Sequence, residues 1–291
     1  MNISLMKSKI TAAAIFAAVC VMSAAISLCG AWDSLFAVLG LKNTPDIGVN
    51  CVRFADVGQG DCTIVQSEGK IMLIDTGDEN HAARLCDYIG KLGFDSVDTV
   101  IITHPHADHM GGLRYICSQM PVGRVFVTDT PPDSDSDLSV YDSFLSAYDG
   151  ERLSVENMAD FKFGEFSVSL VLCDSDAEDE NDRSAVILLQ CNEVSFLVTG
   201  DLSASDSKVD VSANVLKVAH HGSQNAASAA FLARVKPDYA VISVGADNTY
   251  GHPSEQTLTQ LTNCGAKIYR TDCNGTVTFD VTDRLKINSE Y

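Results

Sequence analysis

The sequence predicts an α/β (α+β) domain built as a four-layer αββα sandwich and preceded by an N-terminal transmembrane or signal helix. Three observations carry this reading. Short apolar runs of strand length are interleaved with helical stretches, and an order of hairpin-like strands followed by strands alternating with helices occurs twice. Six of the seven histidines stand at the ends of those runs or in the loops beyond them, where α/β folds place their sites. The third is a long uncharged segment close to the N-terminus.

That segment follows Lys7 and Lys9 and runs to about residue 39, broken only by small polar residues and Asp33. Residues 10–28 carry no charge over 19 positions, which is enough to span a bilayer and longer than most signal-peptide cores. The positive flank keeps the N-terminus in the cytoplasm. Residues 1–39 therefore read as a signal peptide or membrane anchor, and both put the remainder outside the cytoplasm. Leu28 is too bulky to precede a lipidated Cys29. Residues 40–49 (GLKNTPDIGV) form a turn-rich linker, and 50–291 form one domain long enough for a well-buried core.

Within the domain, strands are expected over 51–57, 62–67, 70–77, 97–103, 124–129, 166–173, 184–191, 194–201, 214–219, 239–245, 267–272 and 275–281. Helices are expected over 82–92, 110–118, 140–148, 226–235 and 254–264, the last opened by Ser254 and Glu255 as cap and first-turn residues. The stretches 129–142 and 174–182 are acid-rich and read as solvated loops; neither has the glycine and glutamate spacing of a calcium loop. Segment 267–280 reads as a hairpin that would bring Cys264 and Cys273 together.

The formal charge is −19, and losing Lys7 and Lys9 with the leader makes the exported part more acidic still. Such a surface repels nucleic acid at long range and disfavours tight duplex binding. Of ten cysteines, none form C-x-x-C, so no zinc ribbon or dithiol redox motif is present. An exported domain permits disulfides, while cysteines inside apolar strands also suit buried thiols.

The most informative stretch is Thr103-His104-Pro105-His106-Ala107-Asp108-His109, at the end of the apolar run VDTVIIT. His104 and His106 are spaced to grip one metal, and Asp108 and His109 can turn to a second. Imidazole with carboxylate suits Zn²⁺, or Mn²⁺ where oxygen ligands dominate. Asp201 closes another strand, His220-His221 follow a third, and His252 lies just beyond a fourth. His81 stands apart and reads as a surface residue. Ser184 and Ser223 have no evident base partner, which sets aside a serine hydrolase.

Taken in order, the motifs Asp56-Val57-Gly58-Gln59-Gly60-Asp61-Cys62, Leu73-Ile74-Asp75-Thr76-Gly77, the histidine-rich loop, Asn181-Asp182-Arg183-Ser184, Thr199-Gly200-Asp201, Lys217-Val218-Ala219-His220-His221-Gly222-Ser223 and Tyr250-Gly251-His252-Pro253 resemble the metallo-β-lactamase fold superfamily. Within it they are most similar to the β-lactamase-like domain of ComEC-type competence (DNA-uptake) proteins. The resemblance covers about residues 50–285 and implies a hydrolase with two divalent metal ions, Zn²⁺ or Mn²⁺. His104 and His106 would hold the first ion, Asp108, His109 and His221 the second, and Asp201 would bridge them around a nucleophilic hydroxide. Asp75 would orient a ligand histidine from behind. Catalytic roles fall to Asp108, His220 and His252, the last two as proton donors or phosphate contacts. Asp56, Gln59, Asp61, Asn181, Asp182, Ser184 and Ser223 would support the site or touch substrate.

The chain departs from the superfamily pattern in having no histidine between His109 and Asp201, which makes the first metal position richer in oxygen. Asp201 stands where zinc-type lactamases usually have cysteine, and His106 where di-iron relatives usually have glutamate. The resemblance therefore implies a phosphodiesterase or nuclease acting on single-stranded DNA or nucleotides, with the membrane as a second partner through the N-terminal segment. The alternatives are hydrolysis of esters, thioesters or lactones, and a non-catalytic anchored metal- or DNA-binding module.

Export has a direct check. A reporter fused after Tyr291 is expected to be active only in a form that requires the extracytoplasmic side; activity of a cytoplasm-dependent reporter would remove the export reading.

Overall fold

The computed structural model describes residues 46–203 and 208–291. The expected N-terminal helix and most of the linker lie outside them. Among the described residues, no helix is long and apolar enough to cross a membrane.

The first half opens as a meander, β1 (Cys51–Phe54), β2 (Thr63–Ser67) and β3 (Lys70–Ile74). Helix α1 (Ala82–Lys91) leads to β4 (Val97–Ile101). Two short helices, α2 (Ala107–Met110) and α3 (Leu113–Gln119), precede β5 (Val122–Val127), then α4 (Asp135–Ala147) and β6 (Glu151–Ser154). The second half repeats the plan. Antiparallel β7 (Phe161–Phe163), β8 (Phe166–Leu172), β9 (Val186–Cys191) and β10 (Val194–Val198) are followed by parallel β11 (Val215–Lys217), β12 (Tyr239–Ile242) and β13 (Lys267–Arg270). Helices α5 (Ala229–Val235) and α6 (Glu255–Asn263) lie between the parallel strands. The chain ends with α7 (Thr271–Asn274), β14 (Val277–Asp280) and β15 (Lys286–Ser289).

The strands form an eight-stranded sheet, β15-β14-β1-β2-β3-β4-β5-β6, and a seven-stranded sheet, β13-β12-β11-β10-β9-β8-β7. Three apolar clusters make the four layers. Between the sheets, Phe54, Met72, Ile74 and Ile101 meet Phe166, Leu189, Phe196 and Val241. Outside the first sheet, Ile71, Leu73 and Val100 pack on Leu85, Ile89, Leu113 and Phe144. Outside the second, Leu216, Ala240 and Ile242 pack on Phe231, Leu232 and Leu261. Successive residues of β3 thus enter different clusters, which is why KIMLI is apolar without alternation: both faces of the strand are buried.

Several expectations need correction. Strands β6, β7 and β15 were not foreseen. All three are sheet edges; β6 and β15 carry charged, exposed side chains, and β7 has three residues, in keeping with edges being short and polar because their unpaired backbone invites aggregation. Half of the acidic stretch 129–142 is helical, because the Ser134 side chain caps α4 by accepting from the Asp137 N–H, and Asp135 and Asp137 favour its N-terminal dipole. Segment 267–280 is no hairpin: β13 belongs to the second sheet and β14 to the first, with α7 carrying the chain between them. Cys264 and Cys273 do not pair, and all eight cysteines among the described residues are free thiols.

Phe279 ties the two sheets together. It is fully buried and meets Phe54 and Phe196 edge-on, each at 5.8 Å between ring centroids, with Tyr239 and Tyr269 also against it. Phe279→Ala is expected to cost about 3–5 kcal/mol through lost burial and the cavity left behind. Chemical denaturation should show a lower midpoint at unchanged slope; a loss under about 1 kcal/mol would deny Phe279 this role.

Candidate metal centre

The strands of both sheets end at one place. Asp75 follows β3, the His104–His109 loop follows β4, Asp201 lies beyond β10 and His221 beyond β11. Backbone hydrogen bonds pin these loops together: Asp75 N–H to Ile101 O, Thr76 N–H to His109 O, and, across the two sheets, Ala185 N–H to Thr103 O at 2.8 Å. Gly200 has φ +52°, and a side chain there would collide with Ser184 and Thr103. His220 and His221 both have positive φ, 47° and 50°, a strained turn of the kind that functional sites retain.

Six side chains supply two convergent sets of ligand atoms, His104, His106 and Asp201 in one and Asp108, His109 and His221 in the other. His104 Nε2 faces His106 Nδ1 at 3.0 Å and Asp201 Oδ2 at 3.9 Å. In the second set His221 Nε2 is 3.1 Å from Asp108 Oδ2, and His109 Nε2 is 3.9 Å from Asp108 Oδ1. Asp201 joins the two, with Oδ1 3.2 Å from His109 Nε2.

The outward nitrogens fix the tautomers. The Thr103 hydroxyl donates to Asp75 Oδ2 at 2.8 Å, so it accepts from His104 Nδ1 at 3.1 Å. His109 Nδ1 meets the same Asp75 oxygen at 2.9 Å, and His221 Nδ1 donates to the Ser243 carbonyl at 2.9 Å. The Nε2 lone pairs of His104, His109 and His221 are thereby turned toward the centre. His106 presents Nδ1 instead, and its Nε2 lies 3.3 Å from Glu180.

Electrostatics suit a cation. Burial, then the neighbouring His109, lowers the His104 pKa well below its usual range, so it stays neutral and able to ligate. For His109 burial works the same way, but Asp201, Asp75 and Asp108 outweigh it and raise the pKa well above normal. Burial opposes ionisation of Asp201, yet His109 and His221 hold its carboxyl well below the usual range. His109 Nε2 and Asp201 Oδ1 are buried and face each other at 3.2 Å, but without the alignment of a hydrogen bond, and neither has another partner. Buried polar atoms without partners are rare and costly, and these two belong to the convergent sets, so the residues present fit metal ions.

The structure brings most of the remaining candidate residues to the site and separates others. His220 Nε2 is 3.8 Å from Asp201, and the His220 and His252 rings are 5.7 Å apart. Both line a 640 Å³ cavity with Gln59, Asn181 and Asp108. Ser223 and Asp182 line an adjoining 710 Å³ lobe that shares Asn181, Asp201, His220 and His252 with the first. Asp182 also accepts from the Ser203 N–H. Ser184 is fully buried and its hydroxyl accepts from the Asp201 N–H at 3.0 Å, so it holds the backbone of a ligand and does not face substrate. Asp56 stays away from the metal cavity, in a separate groove, where it pairs with Arg84 at 2.9 Å. His81 is half-buried, its Nδ1 2.6 Å from Asp78 and its ring packed against Gly58 where any side chain would collide. It lies at the surface, apart from the ligand sets, and there it fixes a turn.

Three contributors escaped the sequence. Lys217 is buried and forms an ion pair with Asp61, which in turn lies 3.5 Å from His221 Nδ1. A lysine inside the apolar strand Val215–Lys217 is the signal that could have found it, since a buried cation needs a partner. Thr103 relays Asp75 to His104, and Glu180 braces His106. Neither stands out locally, Glu180 least of all in an acid-rich loop.

A two-sheet sandwich with convergent His/Asp ligands at its strand ends defines a metallo-hydrolase fold. The chain belongs to the Metallo-beta-lactamase superfamily, whose family model matches residues 55–246. It is similar to ComE operon protein 3 of Bacillus subtilis, 26% identical over 82% of this chain and 34% of that protein. It is also similar to competence protein ComA of Neisseria gonorrhoeae, 28% identical over 77% of this chain and 31% of that one. The chain thus spans about a third of the length of these curated relatives. In structure it is similar to the metallo-beta-lactamase fold protein YhfI of Bacillus subtilis, with TM-score 0.55 at 13% identity, covering 79% of this chain and 99% of that one. Zn²⁺-bound PqqB of Methylobacterium extorquens gives TM-score 0.53 at 14% identity over 77% and 88%.

Metal loading should release protons, because the same nitrogens cannot hold both. In the metal-free protein the raised His109 contributes stability that is complete below its unfolded value of about 6.5 and is lost as pH rises through its folded value. Calorimetry of Zn²⁺ binding in buffers of different ionisation enthalpy should therefore show proton release near neutral pH, declining as pH rises. Asp201→Ala is expected to lose both ions by elemental analysis. Full metal content in that variant would show that Asp201 is not shared.

Proposed function

We propose that the chain is an exported metal-dependent hydrolase of phosphodiesters, acting outside the cytoplasm on single-stranded DNA or nucleotides. The observation that carries this reading is the pair of convergent ligand sets joined through Asp201. Two close ions suit in-line displacement at phosphorus, where both the entering and the leaving oxygen need stabilising. His104, His106 and Asp201 would hold one ion and Asp108, His109 and His221 the other. Each set offers two imidazoles and one carboxylate, a mixture that suits Zn²⁺ and is also within the range of Mn²⁺. When bound, the ions supply Lewis acidity and make water acidic enough to attack near neutral pH.

The chain's own groups do the rest. Asp75 and Thr103 hold His104 and His109 in register, and Asn181 presents a buried, unpartnered oxygen at the cavity wall. His220 and His252 stand on the open side, where a proton must reach the leaving alkoxide. Burial, then His220 and His221, lowers the His252 pKa, so its protonated form would give up that proton readily. The relatives' names, competence proteins, support nucleic acid or its fragments as substrate.

One observation favours a second reading. Among the described residues, no lysine or arginine lines either lobe of the cavity, which also suits a neutral ester, thioester or lactone.

A panel separates the two. With Mn²⁺ or Zn²⁺, a bis-aryl phosphate and single-stranded DNA should be hydrolysed faster than duplex DNA, a lactone or a cephalosporin. Faster turnover of the lactone or cephalosporin than of every phosphodiester would transfer the assignment to the second reading.

A further inference from the structure

Tyr250 is 71% exposed, one of the few large apolar side chains that the domain leaves in solvent. It lines the same 640 Å³ cavity as Asp108 and Asp201. One ring face is stacked on His252, with centroids 5.8 Å apart and planes 25° from parallel. His252 in turn meets His220 at 5.7 Å, and His220 Nε2 is 3.8 Å from Asp201. A ladder of rings therefore leads from the metal ligands to a bare aromatic face at the cavity mouth. Exposed aromatic faces of this kind stack planar bases with little regard to sequence.

The rim has the opposite character from a nucleic-acid groove. Asp78, Glu79 and Asp137 line one lobe, and Glu178, Asp179 and Asp182 line the other. Proteins that track a single strand pair stacking platforms with a positive groove, and each phosphate they contact is met by a cation. Among the described residues, no lysine or arginine lines either lobe, so beyond the protonated forms of His220 and His252 the positive charge available to a phosphate would come from the metal ions. A second or third phosphate of a polymer would extend along carboxylates within a Debye length of them, about 8 Å at physiological ionic strength.

Building on the phosphodiesterase reading, we propose that the site selects substrates of nucleotide size, with one phosphodiester at the metals and one base or comparable planar ring stacked on Tyr250, and that it discriminates against polynucleotides. In the reaction the oxygen of water bonds to phosphorus and gives up one proton to solvent, the bond from phosphorus to the leaving alcohol oxygen breaks, and that oxygen takes a proton from His220 or His252, which is reprotonated from solvent. The products are a phosphate monoester and an alcohol. The lobe that carries Tyr250 and Asp108, 640 Å³ by itself, lies within the roughly 300–1,000 Å³ range of small-molecule sites.

The test is binding, read independently of turnover. Metal-loaded full-length chain would be titrated with thymidine 5′-monophosphate, with deoxyribose 5-phosphate, and with a phosphorothioate decathymidylate. The nucleotide should bind about tenfold or more tightly than the base-free sugar phosphate. Tyr250→Ala should abolish that difference and Tyr250→Phe should keep it. The decamer should bind no more tightly than the mononucleotide at low salt, and better as salt rises. Equal binding by wild type and Tyr250→Ala, or a decamer preferred at low salt, overturns the proposal. Loss of phosphodiester turnover with this binding pattern intact strikes only the hydrolytic reading, and leaves the recognition by Tyr250 in place.

Discussion

The site hangs on one buried carboxylate, Asp75. It sits where β3 leaves the first sheet, fully buried and with φ +61°, a conformation that few residues other than glycine adopt. Its two oxygens accept from the Thr103 backbone N–H, the Thr103 hydroxyl and the His109 ring. Through Thr103 it also sets the tautomer of His104. One residue thus couples the end of β3 to the end of β4 and orients a histidine of each ligand set. The backbone bond from Ala185 to Thr103 extends the same junction to the second sheet, whose β10 and β11 deliver Asp201 and His221. The fold and the site are consequently one problem: the sandwich exists in a form that lets strand ends from both halves meet at Asp75.

Such a meeting concentrates negative charge. Asp61, Asp75 and Asp201 are buried and Asp108 is partly so. Isolated carboxylates in a protein interior cost many kcal/mol and are found paired. Lys217 answers Asp61. In the absence of metal the others depend on protons held by His109 and His221, whose pKa values are raised against the opposing effect of burial. A third cluster, Asp61, Asp75 and His109, also has ligand-like geometry, but Lys217 and the His109 hydrogen bond already neutralise it, which leaves the open side as the place for a cation. The fold thereby demands cations at one point, and metal ions fill that demand with better geometry than protons do. Metal binding is then coupled to stability as well as to chemistry.

The sequence displayed the inner strands and the ligands clearly and the supporting residues poorly, for separate physical reasons. Strands such as Lys70–Ile74 and Val186–Cys191 are buried on both faces, so they read as unbroken apolar runs. The edge strands Glu151–Ser154 and Lys286–Ser289 answer to solvent and resemble loops. Histidines are scarce in this chain, so their clustering at strand ends is visible without a structure. Asp56 looks like a site residue in the linear motif, yet it pairs with Arg84 in another groove, whereas Ser184 supports the site from behind by accepting from the Asp201 amide. Glu180 shows the converse. A carboxylate that braces a ligand histidine is indistinguishable, along the chain, from the solvated acids beside it. Hairpin-like spacing misled at 267–280 because local pattern carries no information about which of two sheets a strand will join.

The acidity of the domain bears on its kinship with competence proteins. This chain matches about a third of those relatives' length, so it can share part of their sequence without sharing whatever the rest of each protein contributes. With a formal charge of −19, the net long-range force on a polyanion is repulsive, and attraction depends on cations held at the centre. A groove that grips a strand must spread positive charge over several phosphates, at a separation set by the polymer. A centre that grips one phosphate needs charge at one place and neutral contacts around it. The metal ligands supply the first and Tyr250 offers the second, while the carboxylates of the rim penalise each phosphate beyond the one at the ions. On the proposed phosphodiesterase reading, the charge pattern would favour small phosphate esters over a polymer, and it would do so whichever ion occupied the site.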